Sequence, residues 1–498
     1  MAKVTHAEVR MYRMGTGDCF ALRFLAGEQT VFKMLIDAGA WFGSKARLQP
    51  FIVDLKQYLD GYADVLLVTH EHKDHVHAFD ACEPLFTDGT FRAGEIWLAW
   101  TEEDGTRKVQ EWQEKFGEKK KALGLAAKKL AEAIASPEYK KQFAGSRHAH
   151  RALGARQNFA AVLTSFADLH LSRDGHQVYK GGLAGMEVVK KKIPAGDIKY
   201  FKSGEVIRDL PGAEEVKIYV LGPPGLYGEV KKEKGAAGQA YDPNELVRET
   251  DAFGAALHQL ATPGSAPESL LPFDEHYIAP PNTAIQKTYQ RADWRRIDFD
   301  WLYSAGALAL RLNSLTNNLS LAIAIELGDN GKVLLFPGDA EIGSWVSWHQ
   351  IPWPDKHHPA PESREEKEHK HLTEDLLNRT VFYKVGHHLS HNGTARQLGL
   401  EMMHHPELAA MATLDYAVIQ QGWTRTMPNR GVVRELLAQT KGRLMIMQEE
   451  GLFFDFNKEV PLKDKIAEAR NRMSARERKD FEDSYQATPL YLQYRVQA

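Results

Sequence analysis

The apolar positions of this chain gather into short unbroken runs, each closed by a polar or glycine-containing turn. Val9 to Met14 reads as a strand, followed by the tight turn Gly15-Thr16-Gly17-Asp18. Phe20 to Phe24 alternates with the period of a strand, and Val31 to Ile36 is a buried strand ending in Asp37-Ala38-Gly39. A helix is predicted around Leu48 to Leu59. A buried strand over Val65 to Val68 then stops at Thr69, and another covers Glu95 to Trp100. Strand, helix, strand order with continuous apolar strands is the pattern of a layered α/β domain, here its first half over 1–100.

Beyond Thr101 the pattern changes. Val109, Trp112, Phe116, Leu123, Leu130 and Ile134 recur at helical spacing among lysines and glutamates, predicting a helical insertion over 101–184. Its dense basic residues, Lys119, Lys120 and Lys121 among them, read first as a solvated face and second as a rail for phosphates. Strand-like text resumes at Met186 to Lys190 and at Val216 to Leu221, giving core strands over 185–224. Residues 225–304 are rich in Gly, Pro and polar residues, which predicts an irregular insertion or lid. The second half of the core fills 305–460, with strands ending at Asp339 and at His387-His388 and a further strand over Tyr416 to Gly422. A charged helix from Asp464 to about Asp483 and a last strand, Leu490 to Val496, make up 461–498.

Composition narrows the classes. Across 498 residues, 43% apolar and 10% aromatic side chains are ample for a core. A formal charge of −3 excludes a globally basic nucleic-acid binder but leaves room for a local basic groove. Cys19 and Cys82 are the only cysteines, so no disulfide framework is implied and a reducing cytosol fits. No apolar signal core opens the sequence and no run is long enough to span a bilayer. The expectation is a soluble cytoplasmic protein with no membrane partner. Nothing in the pattern sets an oligomeric state.

The chemistry concentrates at Thr69-His70-Glu71-His72-Lys73-Asp74-His75, directly after the 65–68 strand. On an extended loop His70 and His72 point the same way, because the side-chain period is two. Asp74 and His75 begin the next turn and face the same point from the other side. Three imidazoles and a carboxylate within six residues make a site for borderline cations such as Zn2+. Two later strands end in the same way. Gly338-Asp339 places a carboxylate beside a glycine, suited to bridging two cations, and Gly386-His387-His388 places a histidine pair at a strand tip.

The ordered set GTGD, LIDAG, THEHKDH, LFPGD and KVGHH resembles the metallo-β-lactamase fold, an αββα sandwich. It looks most like the ComEC-type competence-protein nuclease domain and its stand-alone bacterial relatives. Asn318-Leu319-Ser320 and Pro428-Asn429 add to the match, which covers about 1–100, 185–224 and 305–456. The resemblance implies that His70 and His72 hold one metal while Asp74 and His75 hold the second. It implies that Asp339 bridges them and that His387 completes the second site, with His388 as the fallback. Asp37 would orient the histidine loop, with Asp18 and Asn318 supporting the site. Two departures stand out. Thr316 to Ser320 lacks the histidine many such hydrolases carry, a feature shared with the ComEC-type branch, and Leu389 stands where the family has glycine. The resemblance thus implies one or two divalent ions, Zn2+ first and, given the missing histidine, Mn2+ as the alternative.

A water held by divalent cations loses its proton near neutral pH and becomes a nucleophile. Asp74, with His75 beside it, is the candidate catalytic pair, Asp74 orienting that nucleophile or taking its proton. Lys384, His391, Trp423 and Arg425 are candidate substrate contacts; for Lys384 a surface lysine is the plainer reading. The expected function is a phosphodiesterase or nuclease acting on nucleic acid or a nucleotide. The alternatives are hydrolysis of a small ester, thioester, lactone or lactam, and a non-catalytic scaffold on the same fold.

Overall fold

The unbroken apolar runs fold as strands of two large sheets. In the computed structural model the described residues are 3–105, 181–225, 313–353, 365–420 and 427–498, with isolated positions between. The first sheet contains β1 (His6–Tyr12), β2 (Phe20–Ala26), β3 (Gln29–Ile36), β4 (Tyr62–Leu67), β5 (Arg92–Ala99) and β6 (Ala195–Phe201). The second contains β7 (Val206–Ile207), β8 (Val216–Val220), β9 (Ile323–Leu327), β10 (Lys332–Phe336), β11 (Thr380–Lys384), β12 (Ala409–Ala412) and β13 (Leu444–Ile446). A small hairpin pairs β14 (Phe453–Asp455) with β15 (Val460–Pro461). The strands β16 (Tyr485–Ala487) and β17 (Tyr491–Gln497) return to the first sheet.

The first sheet runs in the order β16-β17-β1-β2-β3-β4-β5-β6, parallel from β3 to β6. The second runs β13-β12-β11-β10-β9-β8-β7, parallel from β10 to β13. One apolar cluster draws on both sheets, with Val9, Phe20, Leu67 and Trp97 from the first and Ile218, Phe336, Phe382 and Met411 from the second. The Phe20 and Phe336 rings meet edge to face at 5.7 Å.

Parallel strands need crossover connections, and the helices supply them. They are α1 (Lys45–Tyr58), α2 (Lys73–Ala81), α3 (Glu83–Thr87), α4 (Gly181–Lys191), α5 (Ile342–Trp348), α6 (Glu365–Asn378), α7 (Tyr416–Ile419), α8 (Arg430–Gln439), α9 (Leu462–Arg470) and α10 (Ala475–Ser484). Leu48, Ile52, Phe79, Val188 and Val189 of α1, α2 and α4 pack with Leu35 and Leu66 in a second cluster. Trp345, Trp348, Leu376, Val433 and Ile466 of α5, α6, α8 and α9 pack with Leu335 and Tyr383 in a third. Among the described residues, no helix is long and apolar enough to cross a membrane.

The chain divides into two compact units. Met1–Val109, Gly181–Asn244 and Ser314–Ala498 form one, and Gln110–Lys180 with Glu245–Asn313 the other. All described strands and helices named above belong to the first unit. Most of the helical insertion, and nearly all of the irregular one, lie outside the described residues.

Three expectations are corrected. Met186 to Lys190 is not a strand but the second half of α4, whose Ala184, Met186, Val188 and Val189 are buried. Tyr416 opens a short helix rather than a strand, because the Asp415 side chain caps it by accepting the Val418 N–H at 3.1 Å. The helix expected from Asp464 to Asp483 is two helices. It breaks before Ser474, which forms a capping box with Glu477 and starts α10.

Candidate metal centre

The site residues lie where strands end. Asp37 follows β3, Thr69 to His72 follow β4, Asp339 follows β10, His387 and His388 follow β11, and Thr413 follows β12. In a parallel sheet these ends share one edge, so residues far apart in sequence converge there. Asp18 comes from the β1–β2 turn, and Asp74 and His75 from the first turn of α2. The glycines of the two early turns permit the approach. A Cβ at Gly17 (φ +140°) would lie 2.5 Å from the Asp74 carbonyl oxygen, and one at Gly39 2.2 Å from it. The Asp18 N–H donates to that same carbonyl at 2.9 Å.

Four buried residues, Asp18, His75, Asp339 and His388, offer ligand atoms within 4.8 Å of one another and could hold a metal ion. His75 Nε2 is 3.1 Å and His388 Nε2 3.2 Å from Asp339 Oδ2. Asp74 joins them, its Oδ2 2.9 Å from His388 Nε2 and 4.0 Å from His75 Nε2. Both rings are aimed by their other nitrogen. His75 Nδ1 is 2.7 Å from Asp37 Oδ2, and Asp37 also accepts from the Thr69 N–H (2.8 Å) and hydroxyl (2.7 Å). His388 Nδ1 is 2.9 Å from the Thr413 carbonyl, and the Thr413 hydroxyl donates to Asp18 Oδ1 at 2.7 Å. Each ring thus turns Nε2 toward the carboxylates.

The electrostatics match this crowding. Burial disfavours charge on His75, but the carboxylates of Asp339, Asp18, Asp37 and Asp74 outweigh it and hold the ring well above its ordinary range. Against the same burial, Asp339 and Asp74 push His388 up to about 10. Burial also works against charge on Asp74, yet His75 and His388 bring its carboxyl down to about 2. His70 and His72 behave oppositely, burial lowering His70 strongly and His72 to about 4. Asp74 Oδ1 is buried and makes no hydrogen bond among the described residues. An atom so placed is costly to leave unsatisfied, and a cation or a water held by one would satisfy it.

The expected residues fall into distinct places. Asp74, His75 and Asp339 meet, with Asp37 behind His75. Asp18, expected as support, belongs to the four-residue group itself. His388 rather than His387 faces Asp339 Oδ2. Both have left-handed backbones (φ 43° and 48°), and that turn sends the His387 ring aside. There its Nε2 lies 3.3 Å from Asn317 Nδ2 and its Nδ1 3.5 Å from Glu341 Oε1. His70 and His72 are buried beside the group, His70 Nε2 2.9 Å from His72 Nδ1 and the His70 ring 4.1 Å from that of His75. Asn318 accepts from the Glu341 and Ser344 N–H groups at 3.2 Å each and so fixes the turn after Asp339.

The surface reading of Lys384 is corrected. Its side chain is 1% exposed and ion-paired to Asp18 and to Asp339. A lysine is buried this fully only when paired, and two aspartates pair it. His391 sits half-buried in the turn after His388, and Trp423 and Arg425 lie outside the described residues. The sequence reading missed Thr413, Glu341 and Asn317. Thr413 carried a usable signal, since Ala409 to Ala412 is another apolar run ending in a polar residue.

Comparison with protein-family models and with curated proteins gives no match for this chain.

Proposed function

We propose that the protein is a metal-dependent hydrolase of the metallo-β-lactamase fold, acting as a phosphodiesterase or nuclease. The observation that carries this reading is the buried, unsatisfied Asp74 Oδ1 inside a cluster of carboxylates and imidazoles that could hold a metal ion. Oxygen and imidazole donors suit Zn2+ first and Mn2+ second. His75, Asp339 and His388 would hold the ion with Asp74, since the Asp18 oxygens are already engaged by Lys384 and the Thr413 hydroxyl. The order of motifs and the layering of cores, one shared by both sheets and two beneath helices, support the αββα reading. Asn317, Asn318 and Ser320, where many esterases and lactamases of this fold place a histidine, favour the nuclease branch.

A divalent ion bound here supplies Lewis acidity to a water and to a phosphoryl oxygen. The protein's own groups do the rest. Asp37 fixes the His75 tautomer, Thr413 fixes His388, and Asp74 Oδ1 is the acceptor placed to orient the attacking water. Metal analysis of the purified protein, then hydrolysis of a generic phosphodiester and of DNA and RNA, tests the proposal against D74A. Bound metal, phosphodiester cleavage and its loss in D74A are expected. A metal-loaded protein that cleaves only small esters would sink the nuclease reading.

A further inference from the structure

The buried Lys384 ammonium has three protons and three acceptors. They are the Gly338 carbonyl at 2.7 Å, Asp339 Oδ1 at 3.0 Å, and Asp18 Oδ2. Asp339 Oδ1 also accepts the His387 backbone N–H at 3.1 Å. That oxygen is therefore fully engaged with protein donors, and only Oδ2 is turned to the imidazoles. Asp18 is engaged likewise, Oδ1 by the Thr413 hydroxyl and Oδ2 by the ammonium. Bridging two cations through both Asp339 oxygens would ask for the one that Lys384 holds, which leaves Oδ2 alone to serve any ion.

The opposite flank offers little to a second ion. His70 Nδ1 lies 3.0 Å from the Thr69 hydroxyl and 3.3 Å from that of Ser320, while its Nε2 meets His72. Ser320 Oγ in turn accepts the Asp339 N–H at 3.1 Å, and Asn317 donates to Glu341 at 2.7 Å. The 316–320 segment adds neither a carboxylate nor an imidazole there. Two imidazoles alone make a poor site for a divalent ion.

We infer that Lys384 is a resident cation of the centre. It withholds Asp339 Oδ1 and Asp18 Oδ2 and confines the site to a single tightly held divalent ion on Asp74, His75, Asp339 Oδ2 and His388. This rests on the metal reading above, and the two can fail separately. Lys384 acts as a positioning residue, setting how many ions bind rather than touching substrate.

The test is a Mn2+ titration of the full chain after chelator treatment, read by electron paramagnetic resonance and elemental analysis. Saturation at about one ion per chain, with a six-line mononuclear spectrum, is expected. Two tightly bound ions or a spin-coupled spectrum would overturn the inference and leave the metal reading standing, whereas no bound ion would overturn both. In K384M a second equivalent binds at least about tenfold more tightly than in the wild type; K384R, which keeps the charge, stays at one. A folded K384M that still takes one ion would remove Lys384 from the explanation. Should K384M fail to fold, the wild-type spectrum decides.

Discussion

Asp37 Oδ2 lies 2.7 Å from His75 Nδ1, and neither side chain has any exposure to solvent. Asp37 sits just beyond β3 with a left-handed backbone (φ 56°), a conformation that costs a non-glycine residue about 1–2 kcal/mol. The strain is retained where the carboxylate fixes one imidazole and the Thr69 turn together.

Replacing Asp37 by Asn keeps an acceptor but removes the charge that raises ligand basicity. Metal affinity of D37N is expected to fall roughly 10–100-fold, the usual effect of losing such a partner. Competition against a chelator of known affinity measures it, with circular dichroism as the check on folding. An unchanged affinity would show that Asp37 only braces the turn.

Leu389 sets two effects against each other. Its φ of 63° favours glycine, yet the side chain is fully buried in the apolar cluster under α5 and α8. Glycine would relieve about 1–2 kcal/mol of backbone strain but forfeit about 2–5 kcal/mol of packing. L389G is therefore expected to be less stable, by up to about 4 kcal/mol, measured from urea midpoints. A more stable L389G would mean that strain dominates at this turn.

Strand β17 pairs with β1 over seven residues and contributes Leu492, Tyr494 and Val496 to the core shared by the sheets. Burying each is worth about 1.5–3 kcal/mol, so together they rival a typical domain's whole stability of about 5–15 kcal/mol. Truncation after Ser484 should abolish cooperative unfolding and leave β1 as an open, aggregation-prone edge. Retention of a sharp thermal transition in the truncated chain would contradict this.

His349 gives a pH signature away from the centre. Burial lowers its pKa below the ordinary 6.5, while its ring contacts the Leu398 carbonyl at 2.8 Å. The unfolded chain therefore takes up this proton first as pH falls through about 6.5, and the folded state loses stability down to its own lower pKa. Compared with H349Q, the wild type's stability should decline more steeply between pH 7.5 and 5, by at most about 1.4 kcal/mol per pH unit. Parallel curves for the two proteins would remove His349 as the source.

Much of this was legible in the residues, for physical reasons. Continuous apolar runs such as Val65 to Leu67 and Val333 to Phe336 fold as strands because both faces are covered, and their polar ends mark the shared edge. The α4 segment misled because Val188 and Val189 favour strands in isolation. Packing against α2 and the first sheet decided otherwise. The cap at Asp415 and the box at Ser474–Glu477 were readable signals, overridden by the β-rich and charged text that follows them. Neighbouring histidines cannot be told apart by spacing, and only the left-handed turn separates His387 from His388. The burial of Lys384 depends on two aspartates from turns far apart in sequence, which no local pattern contains.

Asp74 and His388 meet across 314 residues of intervening chain. Closing so large a loop is entropically slow, and contacts of this span form late in folding. A ribosome must deliver β11 before the imidazole of His388 can reach Asp74, so a nascent fragment holding only the histidine-rich loop lacks half of its cage. A chain that stalls midway thus carries the histidine-rich motif without the His388 contact to Asp74.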